Sequence, residues 1–153
     1  MAKSPSSTLH DELHGYYLDE LSPGMSAAYA KTVTDADIVL YAGISGDTNP
    51  IHLNEEFSAG TVFESRIAHG MLTASFISTV IGTKLPGPGC IYLSQTMKFK
   101  APVRSGETVV ARATVKDVNV AKKRVVLETT CMVGGEIVLE GEAIIMVPER
   151  QKS

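Results

Sequence analysis

The longest stretch free of Asp, Glu, Lys and Arg runs 17 residues, from Ile67 to Thr83. Apolar side chains surround its axis at nearly every angle, which predicts a helix inside a core rather than on its surface. The length is at the short end of what crosses a bilayer. Thr73, Ser75, Ser78, Thr79 and Gly82 punctuate it, however. Lipid offers hydroxyls no partners, so no membrane span is expected. Leu85-Pro-Gly-Pro-Gly89 ends the helix.

Downstream the period changes to two. Val109, Ala111, Ala113 and Val115 alternate with Val110, Arg112, Thr114 and Lys116, as in a strand with one buried and one wet face. Strands are expected over residues 90–101, 107–118, 124–133 and 137–147, with turns at 102–106, 119–123 and 134–135. Upstream, residues 26–33 also alternate and predict a strand. Thr34 then reads as a helix cap. Asp35 and Asp37 suit the first turn, Ile38, Val39, Tyr41 and Ala42 form an apolar face, and Gly43 and Gly46 end the helix. Asn54 caps a further short helix.

The order is strand, helix, polar loop, long helix, then four strands on short loops, read as antiparallel neighbours. The class is α+β, with a curved antiparallel sheet around the long helix. Such a sheet leaves an edge strand and one helix flank open, so a homodimer is expected. One domain spans residues 15–148, with a flexible polar tail over 1–14 and a polar C-terminal tail over 149–153.

Composition narrows the function classes. A net charge of −3 and pI near 5.8 leave no basic footprint for nucleic acid. The basic run Lys122-Lys123-Arg124 falls at a hairpin turn and reads as a solvated tip rather than a phosphate patch. Cys90 and Cys131, 41 residues apart, read as small core residues in a reducing compartment. The N-terminus has no apolar run of a secretory signal, so a cytoplasmic location is expected. His10 and His14 are four apart but have no third ligand, and read as part of the solvated tail.

Chemistry concentrates between Asp47 and His52, where a carboxylate, an amide and an imidazole fall within six residues stiffened by Gly46 and Pro50. Asp47 and His52 can both touch one water and form an acid/base pair. The competing reading makes Asp47 and Asn49 turn residues and His52 a satisfied surface imidazole. Gly70 opens the long helix, where unpaired N–H groups could stabilise an enolate oxygen; alternatively it only eases packing. Asp47, His52 and His69 show no local metal-ligand spacing, so no metal is expected. Gly87-Pro-Gly89 is no dinucleotide fingerprint. Ser75 and Ser78 lack the context of a nucleophile and read as helix hydroxyls bonded to the preceding turn.

Ser45-Gly-Asp-Thr-Asn-Pro-Ile-His52, Phe57-Ser-Ala59 and Arg66-Ile-Ala-His-Gly-Met-Leu72 together resemble the MaoC-like family of (R)-specific enoyl-CoA hydratases, the PhaJ type. Resemblance continues through Leu85-Pro-Gly-Pro-Gly89, Ile91-Tyr-Leu-Ser-Gln-Thr-Met-Lys-Phe99, Pro102-Val103 and Gly141-Glu-Ala143, and covers about residues 21–148. It implies a hot dog fold, a homodimer, and reversible addition of water to trans-2-enoyl-CoA giving (R)-3-hydroxyacyl-CoA. No cofactor is implied, coenzyme A being part of the substrate. By the resemblance, Asp47 and His52 activate the water, with either one as base. The Gly70 N–H receives the thioester carbonyl, Asn49 supports the loop, and Ser78 helps hold it. Other functions open to the same fold are an acyl-CoA thioesterase and a non-catalytic acyl-CoA-binding protein.

Overall fold

The computed structural model describes residues 8–151. After a short helix α1 (Leu9–Leu13) and a 3₁₀ turn (Leu18–Glu20), strand β1 (Ser26–Thr32) leads into α2 (Asp35–Ser45). Two short helices follow, α3 (Pro50–Leu53) and α4 (Glu55–Ala59), then the long α5 (Gly70–Thr83). The remainder is β2 (Ile91–Gln95), β3 (Lys98–Phe99), β4 (Thr108–Asn119), β5 (Arg124–Val133) and β6 (Glu136–Met146). All strands join one antiparallel sheet in the order β1-β4-β5-β6-β2, with β3 also on β6.

The alternation read in β4 becomes the core. Val109, Ala111, Ala113 and Val115 are buried, and across the register lie Cys131 beside Ala111 and Leu127 beside Val115. Leu72, Phe76, Ile77, Val80 and Ile81 of α5 cover this face, the helix packing on β1, β4 and β5. Each such Leu, Ile or Phe removed from water contributes about 1.5–3 kcal/mol. Burial pushes the Cys131 thiol up to about 12, so it stays protonated as a small apolar side chain. Among the described residues no helix is long and apolar enough to cross a membrane.

The structure corrects four expectations. Residues 8–14 are not a tail: Thr8 and Asp11 form a reciprocal cap on α1, and the His14 ring stacks on Tyr17 at 3.9 Å. Residues 1–7 lie outside the described part. The strand over 90–101 is broken at Thr96, whose carbonyl presses against the Cα of Gly141; a Cβ there would lie 1.8 Å from that oxygen. Nor do the strands on either side of residues 102–106 pair. The chain crosses instead to the far side of the sheet, where β4 lies between β1 and β5, held by Ala68 N–H on the Val103 carbonyl and Val33 N–H on the Glu107 carbonyl. Finally, α5 is not buried all round: Met71, Ser75, Ser78 and Gly82 are exposed along one side, the open flank expected of the sheet.

Candidate active site

Local hydrogen bonding builds the loop between α2 and α3. A reciprocal Thr34–Asp37 cap starts α2, and Gly46 (φ +79°) ends it. Ser45 Oγ donates to the Tyr41 carbonyl at 2.7 Å and accepts from Asp47 N–H at 3.1 Å. Asn49 N–H donates to Asp47 Oδ1 at 3.3 Å, while Asn49 Oδ1 accepts from Ile51 N–H at 3.1 Å. Asn49 thus caps α3, with Pro50 in the first helical position where its missing N–H costs nothing. That one helical turn lifts His52 out of the extended loop.

Further residues clamp the loop from outside. Ser58, fully buried, donates towards the Pro50 and Ile51 carbonyls at 3.3 and 3.0 Å. Arg66 binds Glu55 at 2.9 Å and Asp35 at 3.0 Å, and reaches the His52 carbonyl at 3.5 Å. The two carboxylates, Glu55 foremost, hold its guanidinium above the usual range. One cation thereby ties α2, α3 and α4 together.

Asp47, His52 and His69 converge, each offering a ligand atom within 4.8 Å of the others. Asp47 is exposed, whereas His52 is 8% and His69 1% exposed. His52 Nδ1 lies 2.8 Å from the Ile67 carbonyl. A carbonyl only accepts, so Nδ1 carries the proton and the neutral ring presents a lone pair at Nε2. His69 shows the opposite arrangement: its Nε2–H donates to the Asp47 backbone carbonyl at 2.9 Å, and its Nδ1 is buried without a partner. The two rings stack at 3.8 Å with 28° between their planes.

This set suits proton transfer better than metal binding. In-plane lone pairs of stacked imidazoles run side by side rather than converging on one ion, and one nitrogen of each ring is already bonded to a carbonyl. A separation within 4.8 Å leaves room for a single water bonded to both Asp47 and His52 at ordinary lengths.

A cleft of about 440 Å³ opens beside the cluster. Asp47, His69 and Gly70 form its polar end, and Phe63, Ile67, Val103, Val138 and Leu139 are among its apolar walls. His52 is not part of the wall. Gly70 begins α5, so its N–H has no acceptor within the helix and carries the positive end of the helix dipole. The Phe99 ring lies against it: a Cβ on Gly70 would fall 2.6 Å from that ring.

Asp47, Asn49, His52 and Gly70 are therefore brought together. Ser78 is not: it lies eight residues beyond Gly70, about 12 Å along the axis, exposed and without a hydrogen bond to the loop among the described residues. Ser75 does bond back to the preceding turn, at the Leu72 carbonyl. His10 falls on α1 and His14 caps its C-terminal end, away from this site, with ring centroids 5.1 Å apart. Residue spacing gave no sign of His69, Arg66 or Ser58 as parts of the site, because the side chains they meet are 11 or more positions away and their other partners are backbone carbonyls. The capital clue for His69 was its place directly before Gly70.

An antiparallel sheet carrying one long helix defines a hot dog domain, here with an Asp/His loop at the helix start. A family model described as MaoC like domain matches residues 21–136, and the chain belongs to this family. It is 55% identical over 140 residues to the (R)-specific enoyl-CoA hydratase of Rhodospirillum rubrum, covering 92% of this chain and 97% of that one. It is 46% identical to the 3-hydroxybutyryl-CoA dehydratase of Methylorubrum extorquens, covering 93% of this chain and 90% of the other. Among solved structures it superposes on R-hydratase PhaJ1 of Pseudomonas aeruginosa with TM-score 0.84 at 41% identity, over 90% of this chain and 89% of that one.

Proposed function

We propose that the protein is an (R)-specific enoyl-CoA hydratase, adding water reversibly to trans-2-enoyl-CoA to give (R)-3-hydroxyacyl-CoA. The observation that carries this reading is the Asp47–His52 pair, within 4.8 Å, beside a cleft that also exposes Gly70. The names of the R. rubrum and P. aeruginosa relatives support the substrate and the stereochemistry.

The chemistry follows from the hydrogen bonds. Asp47 and His52 Nε2 hold one water over C3. As its oxygen bonds to C3, the water yields a proton to Nε2, and the C2–C3 π electrons move through the thioester onto its oxygen. The Gly70 N–H, at the start of α5, stabilises that enolate; a donor of this type contributes about 2.7–4 kcal/mol. The proton on Nε2 then passes to C2, and the second hydrogen of the water stays on the new hydroxyl. Atoms balance without a cofactor or metal, coenzyme A entering as part of the substrate. The apolar wall of the cleft takes the acyl chain.

The reading includes a homodimer in the cytoplasm. The open flank Met71, Ser75, Ser78 and Gly82 of a charge-free helix, and the exposed Ile91, Tyr92 and Leu93 on edge strand β2, support a second copy. Ser78, remote from the loop of its own chain, would then act only through such a contact. The free thiols Cys90 and Cys131 fit a reducing compartment.

Mixing the protein with crotonyl-CoA tests the reading. Enoyl-thioester absorbance should fall, and only an (R)-selective dehydrogenase should oxidise the product. Release of free thiol instead would mark a thioesterase, and binding without turnover across a chain-length series would mark a carrier.

A further inference from the structure

We propose that His69 is a positioning residue for the reaction, setting the distance between Asp47 and His52; this rests on the hydratase reading above. Three contacts converge on it. Its Nε2–H holds the Asp47 backbone carbonyl at 2.9 Å. One face supports the His52 ring at 3.8 Å, and Tyr41 lies 4.7 Å from it. Because it immediately precedes Gly70, the same residue fixes where the oxyanion donor starts.

Burial shows why this is not merely filler. His69 is 1% exposed, yet its Nδ1 has no partner, an arrangement that costs free energy compared with an apolar side chain of the same shape. An aromatic hydrocarbon would fill the space and stack on His52, but it could not hold the Asp47 peptide. What an imidazole adds is the donor at Nε2. It reaches the backbone of the acid while its ring backs the base, so one rigid side chain references both groups to the first turn of α5. His52 and His69 consequently carry their protons on opposite nitrogens, Nδ1 and Nε2. An ångström of drift between positioned groups commonly costs about a hundredfold in rate.

The test compares His69→Phe, which keeps the stacking ring, with His69→Gln, which places an amide donor near the former Nε2. Crotonyl-CoA turnover is measured alongside binding of butyryl-CoA, which lacks the reacting double bond. The unsubstituted protein in the same assay checks the hydratase reading separately: without turnover there, that reading fails before His69 is tested. For His69→Phe, kcat should fall about 10- to 100-fold while butyryl-CoA affinity stays within about twofold; His69→Gln should recover part of kcat. Near-normal kcat in His69→Phe overturns the proposal. So does parallel loss of kcat and butyryl-CoA binding in both variants, which marks a structural role. Nitrogen-15 NMR of the imidazoles of the unsubstituted protein gives a readout independent of folding of the variants: a His69 proton on Nδ1 also overturns it.

Discussion

The two ends of α5 are built for opposite purposes. At its C-terminal end a run of backbone hydrogen bonds closes the chain: Gly87 N–H on the Ile81 carbonyl, Gly15 N–H on Pro88 and Tyr16 N–H on Pro86. The segment around Gly15 straps this end, with Gly15 so close to the Pro86 carbonyl that a Cβ would lie 2.3 Å from its oxygen. At the N-terminal end the helix starts beside a cleft, with an unpaired N–H at Gly70, an exposed Asp47 and a buried nitrogen on His69 left without a partner. One end stores stability in satisfied backbone bonds; the other leaves donors and acceptors free to meet a substrate. The difference teaches where chemistry can reside in a fold whose core is otherwise apolar.

The largest expected effect breaks the N-terminal end itself. Asp47→Asn and His52→Ala should each lower the rate of crotonyl-CoA hydration by about 10²–10⁴-fold, the range typical of a lost acid/base group, with an unchanged circular dichroism spectrum. A variant within tenfold of the normal rate would remove that side chain from the mechanism.

Next comes the same substitution at both ends. Gly70→Ala places a methyl against the Phe99 ring, a side chain that can shift, so the fold should survive while the methyl crowds the thioester site. kcat/KM should fall about 10- to 100-fold, within the loss expected for a weakened oxyanion donor. Gly15→Ala presses a methyl into backbone that cannot shift cheaply, which should cost about 1–3 kcal/mol and several degrees in Tm, with kcat unchanged in the folded fraction. Calorimetry and initial rates on the two variants check the contrast; loss of stability at Gly70 with normal kcat would undo it.

Much of this asymmetry was legible in residue order. The charge-free run marked α5, period-two alternation marked β1 and β4, and Ser45-Gly-Asp-Thr-Asn-Pro carried its own loop geometry, because the Ser45, Asp47 and Asn49 side chains each bond to backbone within four positions. Contacts made across long stretches were not legible. His69 meets Asp47 and His52 only after α5 folds against the loop, so spacing rules for metal or acid/base sites pass over it. Likewise, short connections suggest neighbouring strands, but the crossing after β3 depends on Ala68 N–H catching the Val103 carbonyl far along the chain. The strap at residues 14–16 was not legible because its order comes from docking on Pro86, Pro88 and Gly89 rather than from an apolar periodicity.

The smallest expected effect separates stability from chemistry at a site remote from both ends. Asp37 caps α2 through Thr34 and pairs with Lys31 at 2.9 Å. The Lys31 hydrogen bond, followed by that to the Thr34 backbone, holds its carboxyl below the ordinary value of 3.8. A folded-state value below the unfolded one means that the carboxylate stabilises the fold above the unfolded value, and that this contribution fades as pH falls through the folded one. Asp37→Asn should therefore cost about 1 kcal/mol at neutral pH, the usual worth of a cap, with a little more at low salt from the half-buried ion pair. The gap between the two proteins should narrow as pH falls below the ordinary carboxyl value of 3.8, where the unfolded carboxyl protonates first and the native one only at lower pH. Urea melts at neutral and acid pH measure it, and kcat should not move. If kcat fell with Asp37→Asn, the frame of α2 would be coupled to the Asp47 loop, and stability could no longer be assigned apart from the cleft.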